Sequence, residues 1–125
     1  MKWYLKENIN GEKNGKGKEY FNNDLLFEGK YLNGKWNGNM KEYDTGSQLI
    51  IEGEYLNGER NGEGKEYYDN GNNLFKGKYL NGKWNGSGIE YFRNGIEKYI
   101  GEFLDGKWNG KGREYFQNGK IKYEG

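Results

Sequence analysis

From Phe27 the chain reads FEGKYLNGKWNGNM, in which Phe27, Gly29 and Tyr31 alternate with the charged Glu28 and Lys30. Alternation with a period of two marks a strand with unlike faces. Asn33-Gly34 then interrupts it. Asn-Gly is the strongest short signal for a tight hairpin, because a type I′ turn needs positive φ at both central residues. A two-residue turn there pairs Leu32 with Lys35, Tyr31 with Trp36, Lys30 with Asn37, Gly29 with Gly38 and Phe27 with Met40. Facing residues share a side of a sheet. One face therefore holds Phe27, Gly29, Tyr31, Trp36, Gly38 and Met40, and the other holds Glu28, Lys30, Asn37, Asn39 and Lys41.

The pattern returns as IEGEYLNGERNG at Ile51, FKGKYLNGKWNG at Phe75 and YIGEFLDGKWNG at Tyr99, with a period of 24 residues. A weaker copy begins at Tyr4, 23 residues before Phe27, because its loop Asn22-Asn23-Asp24 is one residue shorter. Two series of turn signals run through the copies. The first is Asn10-Gly11, Asn33-Gly34, Asn57-Gly58, Asn81-Gly82 and Asp105-Gly106; the second is Gly46-Ser47, Asn70-Gly71, Asn94-Gly95 and Asn118-Gly119. They predict a meander of about eleven short strands. Carried across the second series, the register sets Glu66 against Phe75 and Glu90 against Tyr99, on the aromatic face from either direction.

The expected fold is all-β: a single-layer antiparallel meander of stacked β-hairpins, drawn out as an elongated twisted rod with one aromatic groove face. Residues 1–125 form one array, with a degenerate cap over 4–26, repeats over 27–50, 51–74, 75–98 and 99–122, and a partial copy at 123–125. The cap carries Lys6, Asn8 and Lys13 where later copies have Gly, an aromatic residue, and Trp or Arg, as a polar terminal repeat should. The last copy shows no such change, so its edge is open to a longer array or to another chain.

Composition agrees with a thin body. Valine, cysteine, histidine and proline are absent, and 18% of the residues are aromatic, so buried apolar surface must belong largely to rings. Without proline, every backbone N–H can join a continuous ladder. The formal net charge of +1 shows neither a nucleic-acid footprint nor a polybasic membrane patch. No apolar run has signal-peptide or transmembrane length, and the expected location is cytoplasmic.

The unit Tyr-x-Gly-x-Tyr-Leu-Asn-Gly-Lys-x-x-Gly-x-Gly, followed by Tyr-Tyr-Asp-Asn-Gly at Tyr67, resembles the MORN repeat. Its Glu66-Tyr67-Tyr68 form is similar to the bacterial variant whose members are often labelled antitoxin components. Met40 at the second glycine, Asp44 at an aromatic position and one extra residue per period depart from the pattern. The resemblance implies a rod of hairpins with a groove on its aromatic face, serving as a scaffold for protein segments, with lipid binding often proposed.

Candidate chemistry is sparse. Ser47, Ser87 and Thr45 have no evident base beside them, so no catalytic residue is assigned, and without His or Cys no metal cluster or cofactor is expected. Glu19, Glu42, Glu66, Glu90 and Glu114 recur once per repeat on the aromatic face, where bonding to Tyr hydroxyls around the rings is the first expectation and contact with a basic ligand the second. The column Lys13, Trp36, Arg60, Trp84, Trp108 covers the adjacent glycines and packs on Tyr31, Tyr55, Tyr79 and Phe103, with Arg60 stacked on Tyr55. A single-layer sheet leaves such a strip partly open, and an exposed aromatic strip marks a binding surface. The expected site is therefore Tyr31, Trp36, Tyr55, Arg60, Tyr79, Trp84, Phe103 and Trp108 with Glu66 and Glu90, holding a peptide or helix of a partner protein. End-to-end pairing of arrays through their terminal strands, and lipid or glycan binding by the rings, are the alternatives. Lys30, Glu54, Lys78 and Glu102 alternate in sign on the opposite face, which is expected to be solvated and salt-paired.

Overall fold

The computed structural model describes the backbone of residues 2–3, 6–7 and 13–125 and the side chains of 14–20 and 22–125. The Asn10-Gly11 turn, Asn8, and the side chains of Lys6 and Lys13 lie outside the described residues. No helix occurs among those described. Twelve strands among the described residues form one antiparallel sheet: β1 (Lys2–Trp3), β2 (Lys6–Glu7), β3 (Lys13–Phe21), β4 (Asp24–Leu32), β5 (Lys35–Tyr43), β6 (Leu49–Leu56), β7 (Glu59–Tyr67), β8 (Asn73–Leu80), β9 (Lys83–Tyr91), β10 (Glu97–Leu104), β11 (Lys107–Tyr115) and β12 (Ile121–Glu124). From β3 onward each strand pairs with the next, while β1 and β2 both pair with β3. This is the single-layer meander that the hairpin signals predict.

The first turn series has the expected geometry, with positive φ at both Asn33 (52°) and Gly34 (82°) and at their counterparts in later copies. The second series differs from the two-residue turns expected. At Tyr68 to Asn72 the loop holds three residues: Tyr68 N–H donates to Asn72 O, Gly71 N–H donates to Tyr68 O, and only Gly71 has positive φ. This is a type I turn closed by a left-handed residue. Asn70 Oδ1 fastens it by accepting from Asn72 N–H. In the one copy with Gly46 in place of that Asn, Asp44 Oδ1 takes over and accepts from Gly46 and Gln48 N–H.

A three-residue loop shifts register by one, yet Glu66 still faces Phe75 and Glu90 still faces Tyr99. A one-residue bulge restores it, leaving Ile50, Leu74, Lys98 and Lys122 without a facing partner. Leu26 is bulged in the same way, although the Asn22-Asn23 turn before it has two residues. A larger irregularity sits in the other half of each hairpin. Leu32 and Tyr31 face Lys35 and Trp36 as expected, but Gly29 faces Met40 instead of Gly38, and Phe27 faces Glu42 instead of Met40. Two extra residues are absorbed opposite Lys30, at a point where Gly38 takes φ of 106°. A slip of two keeps every later side chain on its original face, because side-chain direction also repeats every two residues.

The core lies on one side of the sheet, where rings lie over glycines. Gly53 faces Gly64, Gly77 faces Gly88 and Gly101 faces Gly112. A Cβ built on Gly88 would come within 2.8 Å of the Phe75 ring, and one on Gly112 within 2.5 Å of the Tyr99 ring. Removing those side chains lets Phe75 (0% exposed) and Tyr99 (5%) lie against the backbone itself. Successive hairpins are also tied at their tips, where Gly58, Gly82 and Gly106 N–H donate to the carbonyls of Trp36, Arg60 and Trp84.

Candidate functional site

The expected site residues fall into two ring clusters. Tyr31 and Tyr55 pack around Met40 with Trp36 at their edge; Tyr79 and Phe103 pack with Phe75 and Tyr99, with Trp84 at theirs. Tyr31, Tyr55, Tyr79 and Phe103 are at most 6% exposed. Trp84 lies parallel to Phe75, with centroids 4.2 Å apart, and receives the edge of Phe103 at 5.6 Å. Trp108 stacks on Tyr99 at 4.5 Å and remains 38% exposed. Each ring is thus held largely by the next, and little of the strip is left as open surface.

Arg60 occupies the tryptophan column between the two clusters. Its Nε donates to Tyr55 Oη at 3.1 Å, and its guanidinium lies 3.6 Å from Glu42 and 3.8 Å from Glu66. The cation sits over the Tyr79 ring, 5.9 Å from its centroid, and not on Tyr55 as the sequence suggests. Burial by itself would lower the Arg60 pKa; the Tyr55 hydroxyl and the two carboxylates outweigh it and raise it, so the group stays charged.

The repeating glutamates serve the rings. Glu66 Oε1 accepts from Tyr79 Oη–H (2.6 Å) and Trp84 Nε1–H (2.9 Å); Glu42 accepts from Tyr55; Glu90 accepts from Trp108 Nε1–H (2.9 Å). Burial first and Glu66 second push the Tyr79 phenol well above its ordinary pKa, and burial with Glu42 does the same to Tyr55. In these bonds the phenols are donors and remain neutral, whereas nucleophilic or general-base work needs a group that gives up its proton near neutrality. Among the described residues no group of His, Cys, Asp and Glu is placed to hold a metal ion.

The open space lies on the other side. A groove of about 1290 Å³ runs across β3 to β8, floored by the backbone at Gly17, Gly29, Gly53, Gly64 and Gly77. Its charged walls are Lys16, Lys18, Lys30, Lys41, Lys65 and Lys76 against Glu28, Glu52 and Glu63, all on the face opposite the rings. The expectation of a groove on the aromatic face meets a physical obstacle: the glycines that would form its floor on that side are the surface on which the rings lie.

Sequence reading passed over this groove because alternating charges look like a solvated face. It also missed a second tyrosine series, Tyr20, Tyr43, Tyr67, Tyr91 and Tyr115, which recurs with the repeat but with opposite facing. Tyr43 and Tyr67 donate to Glu28 and Glu52 in the groove wall. Burial, then the Glu52 carboxylate, push the Tyr67 phenol up to about 12. The signal was available in the spacing, since these tyrosines keep step with the glutamates that precede them.

The family model of the MORN repeat matches residues 9–25, 52–73, 75–97 and 99–121, together more than half of the chain. No curated protein matches it. Among the described residues no helix is long and apolar enough to cross a membrane, which says nothing of a β-barrel.

Proposed function

The chain belongs to the MORN repeat family, whose repeats are commonly non-catalytic interaction modules, and from that premise we propose that it is a scaffold that holds a segment of a partner protein. The observation that carries this reading is the groove of about 1290 Å³ on the charged face, long enough to cross six strands and lined by side chains from each of them. At about 4.8 Å per strand it is about 24 Å long, the reach of about seven extended residues. Glycine pairs fix the floor, and the ring clusters behind the floor hold the sheet in shape without a second layer.

A second reading keeps the ring face as the contact surface. It is favoured by Trp108, whose outer side is uncovered, and by the half-buried edges of Trp36 and Trp84. One experiment separates the two: affinity capture with the intact chain, with Asn39→Trp, which fills the groove, and with Trp84→Lys, which changes the ring face. Circular dichroism establishes that each is folded. A partner lost with Asn39→Trp and kept with Trp84→Lys is the expected result; the reverse moves the site to the rings. Capture by none of the folded chains, with sedimentation that rises with concentration, would leave end-to-end pairing of arrays as the function.

A further inference from the structure

The groove carries like charges face to face at both ends. Lys16 faces Lys30 across β3 and β4, and Lys65 faces Lys76 across β7 and β8. Between them the facing pairs have opposite signs: Lys18 with Glu28, Glu28 with Lys41, Lys41 with Glu52, and Glu52 with Lys65. Like charges directly opposite destabilise a sheet, so the two lysine pairs cost stability that the intervening pairs do not.

Among the described residues no carboxylate lies within ion-pair distance of either pair, although Glu52 faces Lys65 from its other side. Among the described residues, the groove lysine with an ion-pair partner is Lys18, at 3.9 Å from Glu28. Glu28 and Glu52 are further engaged by the hydroxyls of Tyr43 and Tyr67. Lys76 lies over the face of Tyr91, 5.9 Å from its centroid. The chain as a whole is near neutral at +1, yet the groove wall sets six lysines against three glutamates. Four ammonium groups in two pairs therefore line a shared groove without an ion-pair partner among the described residues.

The two pairs are four strands apart and offset by two residues along the strand, which places them about 20 Å apart. In an extended peptide, side chains at i and i+6 point the same way and are also about 20 Å apart. We propose that the groove binds an extended acidic protein segment bearing carboxylates six residues apart, one set between Lys16 and Lys30 and the other between Lys65 and Lys76. This deepens the groove reading and rests on it. A protein segment suits the site better than an anionic bilayer, because Glu28 and Glu52 stand between the lysine pairs and would meet the lipid charge, while a segment can place neutral residues there.

The test uses the whole chain and a fluorescein-labelled octapeptide with glutamates at positions 1, 2, 7 and 8 and a Gly-Ser spacer, read by fluorescence polarisation. Binding is expected, weakening as salt rises, and weakening at least about tenfold for the double variant Lys16→Gln/Lys76→Gln. A peptide with its four glutamates adjacent should bind more weakly than the spaced one. A further readout separates recognition from damage: Lys76→Glu should weaken binding while raising the thermal midpoint, because it replaces a like-charge pair by an opposite one. A folded chain that leaves the peptide free, or that binds both spacings and the double variant equally, overturns the proposal. Flotation with phosphatidylserine vesicles by a chain that ignores the peptide overturns it in favour of lipid. If the peptide fails while Asn39→Trp still abolishes partner capture, the groove scaffold stands and only its acidic preference falls; if both fail, both are lost.

Discussion

The octapeptide YLNGKWNG folds twice, at residues 31–38 and 79–86, and the two copies do not pack alike. In the second, Trp84 and Phe75 are parallel within 3° at 4.2 Å, and Phe75 is wholly buried. In the first, Trp36 and Phe27 are tilted by 48° at 4.6 Å. The cause lies outside the shared residues. Gly77 faces Gly88, whereas Gly29 faces Met40. The Met40 sulfur lies 2.1 Å from where a Cβ on Gly29 would stand, over the backbone that in the second copy is covered by the Phe75 ring. A flexible thioether has taken the seat of an aromatic ring. A facing glycine pair thus sets how flat a ring can lie, and with it how tightly the repeat is closed.

The largest effect is expected when the tryptophans are removed. Trp84→Ala loses a parallel stack, an edge contact and the bond to Glu66, and should cost about 4 kcal/mol; Trp36→Ala, with a tilted partner, should cost about 3 kcal/mol. Urea denaturation of both variants reads the difference, and equal losses would deny that the stack matters.

Next comes transplanting the difference. Gly88→Met gives the second copy the first copy's arrangement, with a Cβ that would begin 2.8 Å from Phe75. It should cost about 2 kcal/mol and diminish the near-ultraviolet dichroism of the Phe75 and Trp84 pair. Unchanged dichroism would mean that another feature tilts Phe27.

Alkali probes the two faces together. The Tyr67 phenol on the groove side has its pKa raised to about 12, and Tyr79 and Tyr55 on the ring side are raised further. The folded values exceed the ordinary value near 10. Their contribution to stability is therefore complete below about pH 10 and is lost as pH rises towards the folded values. Absorbance at 295 nm should show these phenols ionising with unfolding, and Tyr67→Phe should lessen the loss between about pH 10 and 12.

The smallest effect is expected where the two clusters meet. Arg60→Trp makes the tryptophan column continuous and removes a half-buried ion-pair network, so the terms oppose and the net change should stay within about 1 kcal/mol. A large loss would show that Arg60 holds Glu42 and Glu66 in place for the rings.

Much of this was readable in the chain. The face of Tyr31, Tyr55, Tyr79 and Phe103 followed from alternation, and the tips at Asn33, Asn57 and Asn81 from Asn-Gly. The loops at Asn70 and Asn94 were not, because the same dipeptide closes a two-residue or a three-residue turn, and only the backbone hydrogen bonds tell them apart. The slip opposite Lys30 was hidden for a related reason, since a displacement of two leaves every side chain on its face and passes a parity test unseen.

The repeat, the tips of the hairpins from Asn33 onward and the residues that share a side could be read from the chain alone, because those depend on local turn chemistry and on a period of two. Tertiary structure decided which side is filled and which is open. That outcome depends on distances between strands: glycine pairs bring backbone close enough for Phe75 and Tyr99 to cover it, so the rings become core. On the other face the bulged sheet aims Lys16, Lys30, Lys65 and Lys76 into a common groove, a convergence that no order of residues along one strand expresses.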